Sequence, residues 1–217
     1  MLNPQLVTTG NVKDNFSDLN RKILIAEEMS TSNKTEIRLA GFGGQGIILA
    51  GHILGKAASL YEHLQAVFTQ SYGPEARGGA CSADVIISEA KIFYPKVSRP
   101  RILVLMSEEA KHTYGRLMAD QALILIDEDL VQMETVPEGC RLFKIPATRL
   151  AEKLGRNIVA NIVMLGFLTS VTEVVGYEAM KQALFDSIPS GTEDLNLKAF
   201  EKGYEYGKQI KKEAISN

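Results

Sequence analysis

The stretch "GFGGQGIILAG", Gly41 to Gly51, places four glycines within six positions and follows them at once with an apolar run. A chain concentrates that much backbone freedom only at a tight turn or where something must approach the backbone closely. The residues leading into it, "EIRLAG" at 36–41, read as a short strand. Those after it, "QGIILAGHILGKAASLY" at 45–61, carry apolar residues at helical spacing for about four turns. A strand, a glycine turn and a helix in that order call for an α/β sheet with the turn at a strand's end.

The alternation continues along the chain. "QAVFT" (65–69) and "SADVIIS" (82–88) are strand-like, and "AKIFY" (90–94) is expected to fold back on the latter as a hairpin across Ser88 and Glu89. "RILVLM" (101–106), "ALILID" (122–127) and "RLFKIPA" (141–147) read as strands, the first two nearly continuous in apolar residues as strands covered on both faces are. Ser107 is placed to cap the helix "SEEAKHTYGRLM", whose acids suit a first turn. Beyond Pro146 the pattern is helical only, over 147–155, 157–172, 177–188 and from about Thr192 to Ile215. The piece 157–172 is apolar almost all round, which predicts burial against the sheet or another subunit. The expected fold is α/β: a Rossmann-like sheet with helices on both faces and a helical C-terminal third. Residues 1–34 read as an N-terminal extension that is either a flexible tail or docks on a partner, with the polar "TSNKT" (31–35) as the linker into the fold. Residues 35–217 read as a single domain.

Composition removes several functions. A formal net charge of -2 does not suit a general nucleic-acid binder, which needs a basic face for phosphates. The two cysteines, Cys81 and Cys140, and the three histidines, His52, His63 and His112, show no metal-ligand spacing, so no zinc or iron–sulfur site is expected in this chain. Two lone thiols fit a reducing, cytoplasmic setting. No apolar run is long enough to span a membrane, and "ILIA" (23–26) is too short for a secretory signal.

Gly41, Gly43 and Gly46 match G-x-G-x-x-G between a strand and a helix, the context in which a helix N-terminus accepts a phosphate. The dinucleotide fingerprint also requires a carboxylate at the end of the second strand to hold ribose hydroxyls. Glu62 sits at the right count but precedes the strand at 65–69, which runs on into "TQS" without an acid. A nicotinamide cofactor therefore fails this second requirement. Two readings stay open: a different phosphate-bearing ligand, or glycines that serve only tight strand–helix packing. In "QSYGPEARGGACSADVIIS" (70–88), Arg77 lies beside Gly78 and Gly79, an arrangement that can clamp a phosphate or carboxylate, or can pair with Glu75 in a structural loop. Tyr72 offers a ring for stacking, or a buried phenol with its hydroxyl bonded. Asp127, Glu128 and Asp129, at a strand end, either edge a site or form a solvated acidic turn. No catalytic acid, base or nucleophile is indicated.

Taken together, "GFGGQGIILAG", "SYGPEARGGACSADVIIS", "LIDEDLV" (125–131), "NIVANIVMLGFL" (157–168) and "NLKAFEKGYEYG" (196–207) resemble the gamma subunit of the 2-oxoacid:ferredoxin oxidoreductases, most of all the 2-oxoglutarate type. The extension at 1–34 departs from that family, whose first strand usually starts near the N-terminus. The resemblance implies an oxidoreductase complex that converts a 2-oxoacid and coenzyme A to an acyl-CoA, carbon dioxide and reduced ferredoxin, with the isolated chain inactive. Thiamine diphosphate, magnesium and [4Fe-4S] clusters would sit on alpha and beta partner subunits, with a ferredoxin-like delta subunit as a further partner and ferredoxin as acceptor. The gamma chain would help enclose coenzyme A. Gly41, Phe42, Gly43, Gly44, Gln45 and Gly46 would approach its phosphates or pantetheine arm, Arg77, Gly78 and Gly79 would help hold its charged end, and Tyr72 and Glu75 would be further cofactor-binding residues. Versions acting on pyruvate, indolepyruvate or branched-chain 2-oxoacids are the alternatives within the family. A free-standing NAD-dependent oxidoreductase is the alternative outside it.

Overall fold

The computed structural model describes residues 34–72 and 79–216. Six strands form one sheet: β1 (Lys34–Phe42), β2 (Gln65–Tyr72), β3 (Ala80–Ser88), β4 (Ile102–Leu105), β5 (Leu123–Asp127) and β6 (Arg141–Ile145), in the order β2-β3-β1-β4-β5-β6. The strands β1, β4, β5 and β6 run parallel, while β3 pairs antiparallel with both β1 and β2. The sheet is thus mixed, with a parallel half built by crossovers and an antiparallel half that begins where β1 meets β3.

That half explains one departure from the sequence reading. The run 90–94 forms no strand and no hairpin with β3, because both edges of β3 are taken. Ser88 at its end is the register partner of Lys34 on one side and of Gln65 on the other. The chain instead leaves β3 in an irregular loop, with the Ser88 hydroxyl accepting the Ala90 N–H.

The helices are α1 (Ile47–Lys56, continued as a π-helical turn over Ala57–Tyr61), α2 (Glu108–Tyr114), α3 (Ala147–Lys153), α4 (Ala160–Thr172, preceded by a 3₁₀ turn over Asn157–Val159), α5 (Tyr177–Phe185) and α6 (Glu193–Ser216). Ser107 caps α2 as its sequence predicts, its Oγ accepting the Ala110 N–H at 3.1 Å. Alternation along β1 divides the core. Ile37 and Leu39 pack with Ile47, Ile53 and Leu54 of α1 and with α4, whereas Ala40 lies on the opposite face with Leu103, Leu105 and Ala110 of α2. Helices therefore cover both faces. Helix α4 is buried from Ala160 through Ser170 and is clasped between the sheet and α6, as its apolar circumference requires. Among the described residues no helix is long and apolar enough to cross a membrane.

Candidate functional site

Helix α1, after β1, and helix α2, after β4, leave the sheet on opposite faces, so the carboxyl ends of β1 and β4 part into a crevice. Such a switch point is where open α/β sheets bind ligands. A cleft of ≈ 400 Å³ occupies it. Gly44 and Gln45 contribute from the turn after β1, Met106 from the end of β4, Leu130 and Thr148 from beyond β5 and β6, and Asn157, Ile158 and Ala160 from the entry to α4.

The glycine turn is held from both ends and open in the middle. Gln45 N–H donates to the Phe42 carbonyl at 3.1 Å, closing the turn. The Gln45 side chain spans the crevice: its Oε1 accepts the Phe42 N–H at 2.6 Å and its Nε2 donates to the Met106 carbonyl at 2.8 Å. Both ends of that amide thus serve the protein itself. Gly44 and Gly46 have φ of 100° and 74°, the left-handed region in which glycine is favoured. A Cβ on Gly43 or Gly44 would meet no atom of the described residues within 4 Å, whereas one on Gly46 would lie 2.3 Å from Asn161 Nδ2. No side chain caps the N-terminus of α1, so its first-turn N–H groups have no intrahelical acceptor and carry the positive end of the helix dipole.

Gly79, of the second glycine pair, comes to the same place. Gly43 N–H donates to the Gly79 carbonyl at 3.4 Å. Tyr72, Cys81 and Gly41 are successive register partners across β2, β3 and β1. Tyr72 is 66% exposed, so the buried phenol is not what forms. Phe42 is partly exposed there as well. Glu75, Arg77 and Gly78 lie outside the described residues. Cys81 is buried, and that burial pushes its thiol above the ordinary cysteine value, as befits a packing residue.

The acidic turn after β5 proves structural. Asp127 is fully buried rather than solvated; its carboxylate accepts the Thr148 N–H (3.0 Å), the Thr148 hydroxyl (2.6 Å) and the Asp129 N–H (3.2 Å). Burial pushes this carboxyl above the usual aspartate range, and the hydrogen bonds from Thr148 and Asp129 oppose the shift. Asp127 therefore fixes the first turn of α3 from behind the wall of the cleft. Glu128 and Asp129 pair with Arg149 on the surface. Glu62, at the count a ribose-binding carboxylate would have, instead accepts the Gly176 N–H at the start of α5. Topology gives the deeper reason. Strand β2 stands two places from β1 with β3 between them, so the adjacent parallel strand that carries the ribose carboxylate in a dinucleotide fold is absent from that side.

Of the cleft's lining, Met106, Leu130, Thr148, Asn157, Ile158 and Ala160 escaped the sequence reading, as did Asn161 behind the turn. Asn161 is an amide in a largely apolar run, and Met106 contributes through its backbone carbonyl, which no sequence pattern signals. A larger groove of ≈ 560 Å³ lies over α5 and α6, lined by Tyr177, Tyr204, Glu178, Glu201 and Glu205. Its three carboxylates would repel an anionic ligand, so the switch-point cleft is the candidate site.

Fold and cleft together define an α/β domain with a glycine turn and an uncapped helix N-terminus at the switch point of its sheet. Residues 36–206 match the pyruvate ferredoxin/flavodoxin oxidoreductase family, and the chain belongs to it. It is 54% identical over 179 residues to the 2-oxoglutarate synthase subunit KorC of Methanocaldococcus jannaschii, covering 82% of this chain and 96% of that one. The subunit of the same name from Methanothermobacter thermautotrophicus is 52% identical, covering 79% and 94%. Among solved structures, the gamma subunit of a keto/oxoacid ferredoxin oxidoreductase from Geobacter sulfurreducens matches with a TM-score of 0.71 at 40% identity, over 80% of this chain and 98% of that one. The 2-oxoglutarate:ferredoxin oxidoreductase of Magnetococcus marinus, solved with 2-oxoglutarate, coenzyme A and succinyl-CoA bound, matches in fold, with a TM-score of 0.75 at 24% identity over 82% of this chain and 32% of that one. The chain is thus an oxidoreductase subunit of gamma type.

Proposed function

We propose that the chain is the gamma subunit of a 2-oxoglutarate:ferredoxin oxidoreductase and lends its glycine turn to the binding of coenzyme A. The reaction would convert 2-oxoglutarate, coenzyme A and oxidised ferredoxin to succinyl-CoA, carbon dioxide and reduced ferredoxin. The observation that carries this reading is the convergence at one sheet end of an open glycine turn, an uncapped helix N-terminus and an apolar-walled cleft. Phosphates suit the first two, because backbone N–H groups and the helix dipole both favour an anion. The flexible, largely apolar pantetheine arm suits the third, between Met106, Leu130 and Ile158. Arg77, Gly78 and Gly79 would hold the charged end.

Thiamine diphosphate with magnesium and the [4Fe-4S] clusters belong, in this reading, to alpha and beta partners, with a ferredoxin-like delta subunit as a further component. The two cysteines of this chain, far apart in sequence, do not make a cluster's four thiolates. Preference for 2-oxoglutarate over other 2-oxoacids rests on the identity to the two 2-oxoglutarate synthase subunits.

The test is mild purification of the tagged chain from its own host under nitrogen, followed by a viologen-reduction assay. A brown eluate containing partner chains, with reduction that depends strictly on both 2-oxoglutarate and coenzyme A, supports the proposal. A colourless chain without partners, or reduction indifferent to coenzyme A, overturns it.

A further inference from the structure

Asn161 is 3% exposed, in the first turn of α4, and its side chain reaches across to the glycine turn. Its Nδ2 donates to the Gly46 carbonyl at 3.1 Å, and its Oδ1 accepts the Ile162 N–H at 2.9 Å. The carboxamide is therefore fixed in orientation, with the donor end toward Gly46. The Gly46 carbonyl also accepts the Ala50 N–H at 3.0 Å, the first hydrogen bond of α1. One oxygen thus joins the end of the turn, the start of the helix and Asn161. A Cβ at position 46 would stand 2.3 Å from Asn161 Nδ2 on a left-handed backbone, so a side chain there would be strained and would push the Asn161 amide off the Gly46 carbonyl.

The turn has a second strut in front, the Gln45 amide between β1 and β4. Between the struts, a Cβ on Gly43 or Gly44 would meet no atom of the described residues within 4 Å, and the long contact from the Gly43 N–H to the Gly79 carbonyl, at 3.4 Å, is a weak restraint on the turn. Glycine loses more conformational freedom than any other residue on being ordered, so an unsupported turn would bind an anion only after that entropy had been lost. Support from behind removes the loss in advance.

We infer that Asn161 is the positioning residue of the glycine turn, holding the Gly46 carbonyl so that the turn and the first N–H groups of α1 face the ligand preorganised. This inference rests on the coenzyme A reading given above. Asn161 commits both ends of its carboxamide to protein groups, Gly46 and Ile162, so its loss should weaken binding of coenzyme A without altering the affinity for the oxoacid or the chemistry.

The experiment uses the assembled oxidoreductase carrying Asn161→Asp, which keeps the shape and the acceptor for Ile162 but sets an oxygen against the Gly46 carbonyl. The expected result is a rise of about tenfold in KM for coenzyme A, with kcat at saturating coenzyme and KM for 2-oxoglutarate each within about twofold of the parent. Amide hydrogen exchange on the full variant chain is the second measurement. Exchange should quicken over residues 43–50 and stay at parent rates in β1, β4 and β5. Equal changes in both KM values, or faster exchange throughout the sheet, would show a general structural role and overturn the inference. Gly44→Val, measured alongside, separates the two layers. If it raises KM for coenzyme A while Asn161→Asp does not, the positioning role alone is wrong; if neither variant raises it, the coenzyme reading fails and the inference with it.

Discussion

Gly43 donates its N–H to the carbonyl of Gly79, so the glycine turn after β1 meets a glycine far away in the chain, just ahead of β3. Two glycines of β1's turn differ sharply in their surroundings. Gly43 lies outside the left-handed region and a Cβ there would meet no atom of the described residues, whereas Gly46 is left-handed and packed on Asn161. Gly43→Ala should therefore leave unfolding free energy within about 0.5 kcal/mol of the parent. Gly46→Ala should cost about 2 kcal/mol or more, from the left-handed backbone and from a side chain that two hydrogen bonds prevent from yielding. Urea unfolding of the two variants checks the contrast; equal losses would mean the turn is not held as described.

Arg77 supplies the next prediction, made on its sequence setting between glycines. Arg77→Ala should raise KM for coenzyme A by about tenfold, the loss of a charge-assisted hydrogen bond, and leave KM for 2-oxoglutarate near the parent value. Steady-state titration of each substrate at saturating levels of the other makes the comparison. A change shared equally by both substrates would place Arg77 in a structural loop with Glu75 instead.

Much of this architecture was legible in the sequence because its signals are local. The glycine turn, the Ser107 cap and the apolar strands β4 and β5 each announce themselves within a few residues. What was not legible depends on pairing across the chain. Whether 90–94 could join a hairpin was decided by β1 and β2 having occupied both sides of β3, which no local pattern records. Asp127 reads as part of a polar turn, and only the return of the chain at Thr148 buries it. Asn161 carries a faint signal, one amide in an apolar helix, whose meaning appears only when Gly46 is seen against it.

The helical third makes a separate demand. A Cβ on Gly166 of α4 would stand 2.0 Å from the Phe200 carbonyl oxygen, and one on Gly203 of α6 would stand 1.8 Å from that of Val163. These clashes are with backbone, so no side-chain rotation relieves them, and α4 and α6 would have to separate. Gly203→Ala should destabilise the chain by about 3 kcal/mol or more, at the upper end of what overpacking costs. Thermal unfolding would report it as a large fall in Tm. A near-parent Tm would show that the two helices are not in backbone contact.

Asp127 gives a dependence on pH whose sign can be worked out. Burial raises its folded pKa above the ordinary value of 3.8, so in the interval between the two values the folded chain holds more proton than the unfolded one. Stability contributed by this group is thus fully present below the unfolded pKa and is lost as pH rises through the folded one. Asp127→Asn carries no titrating proton and should lack that slope. It also offers one acceptor where the carboxylate has two, so one of the donors from Thr148 or Asp129 is left unpaired, at a cost of about 1 to 3 kcal/mol. Urea midpoints for parent and variant, taken at intervals upward from about pH 4, should show the parent's advantage shrinking as pH rises and then levelling. Curves that run parallel would mean Asp127 titrates alike in both states, and an advantage that grows with pH would mean its hydrogen bonds outweigh its burial.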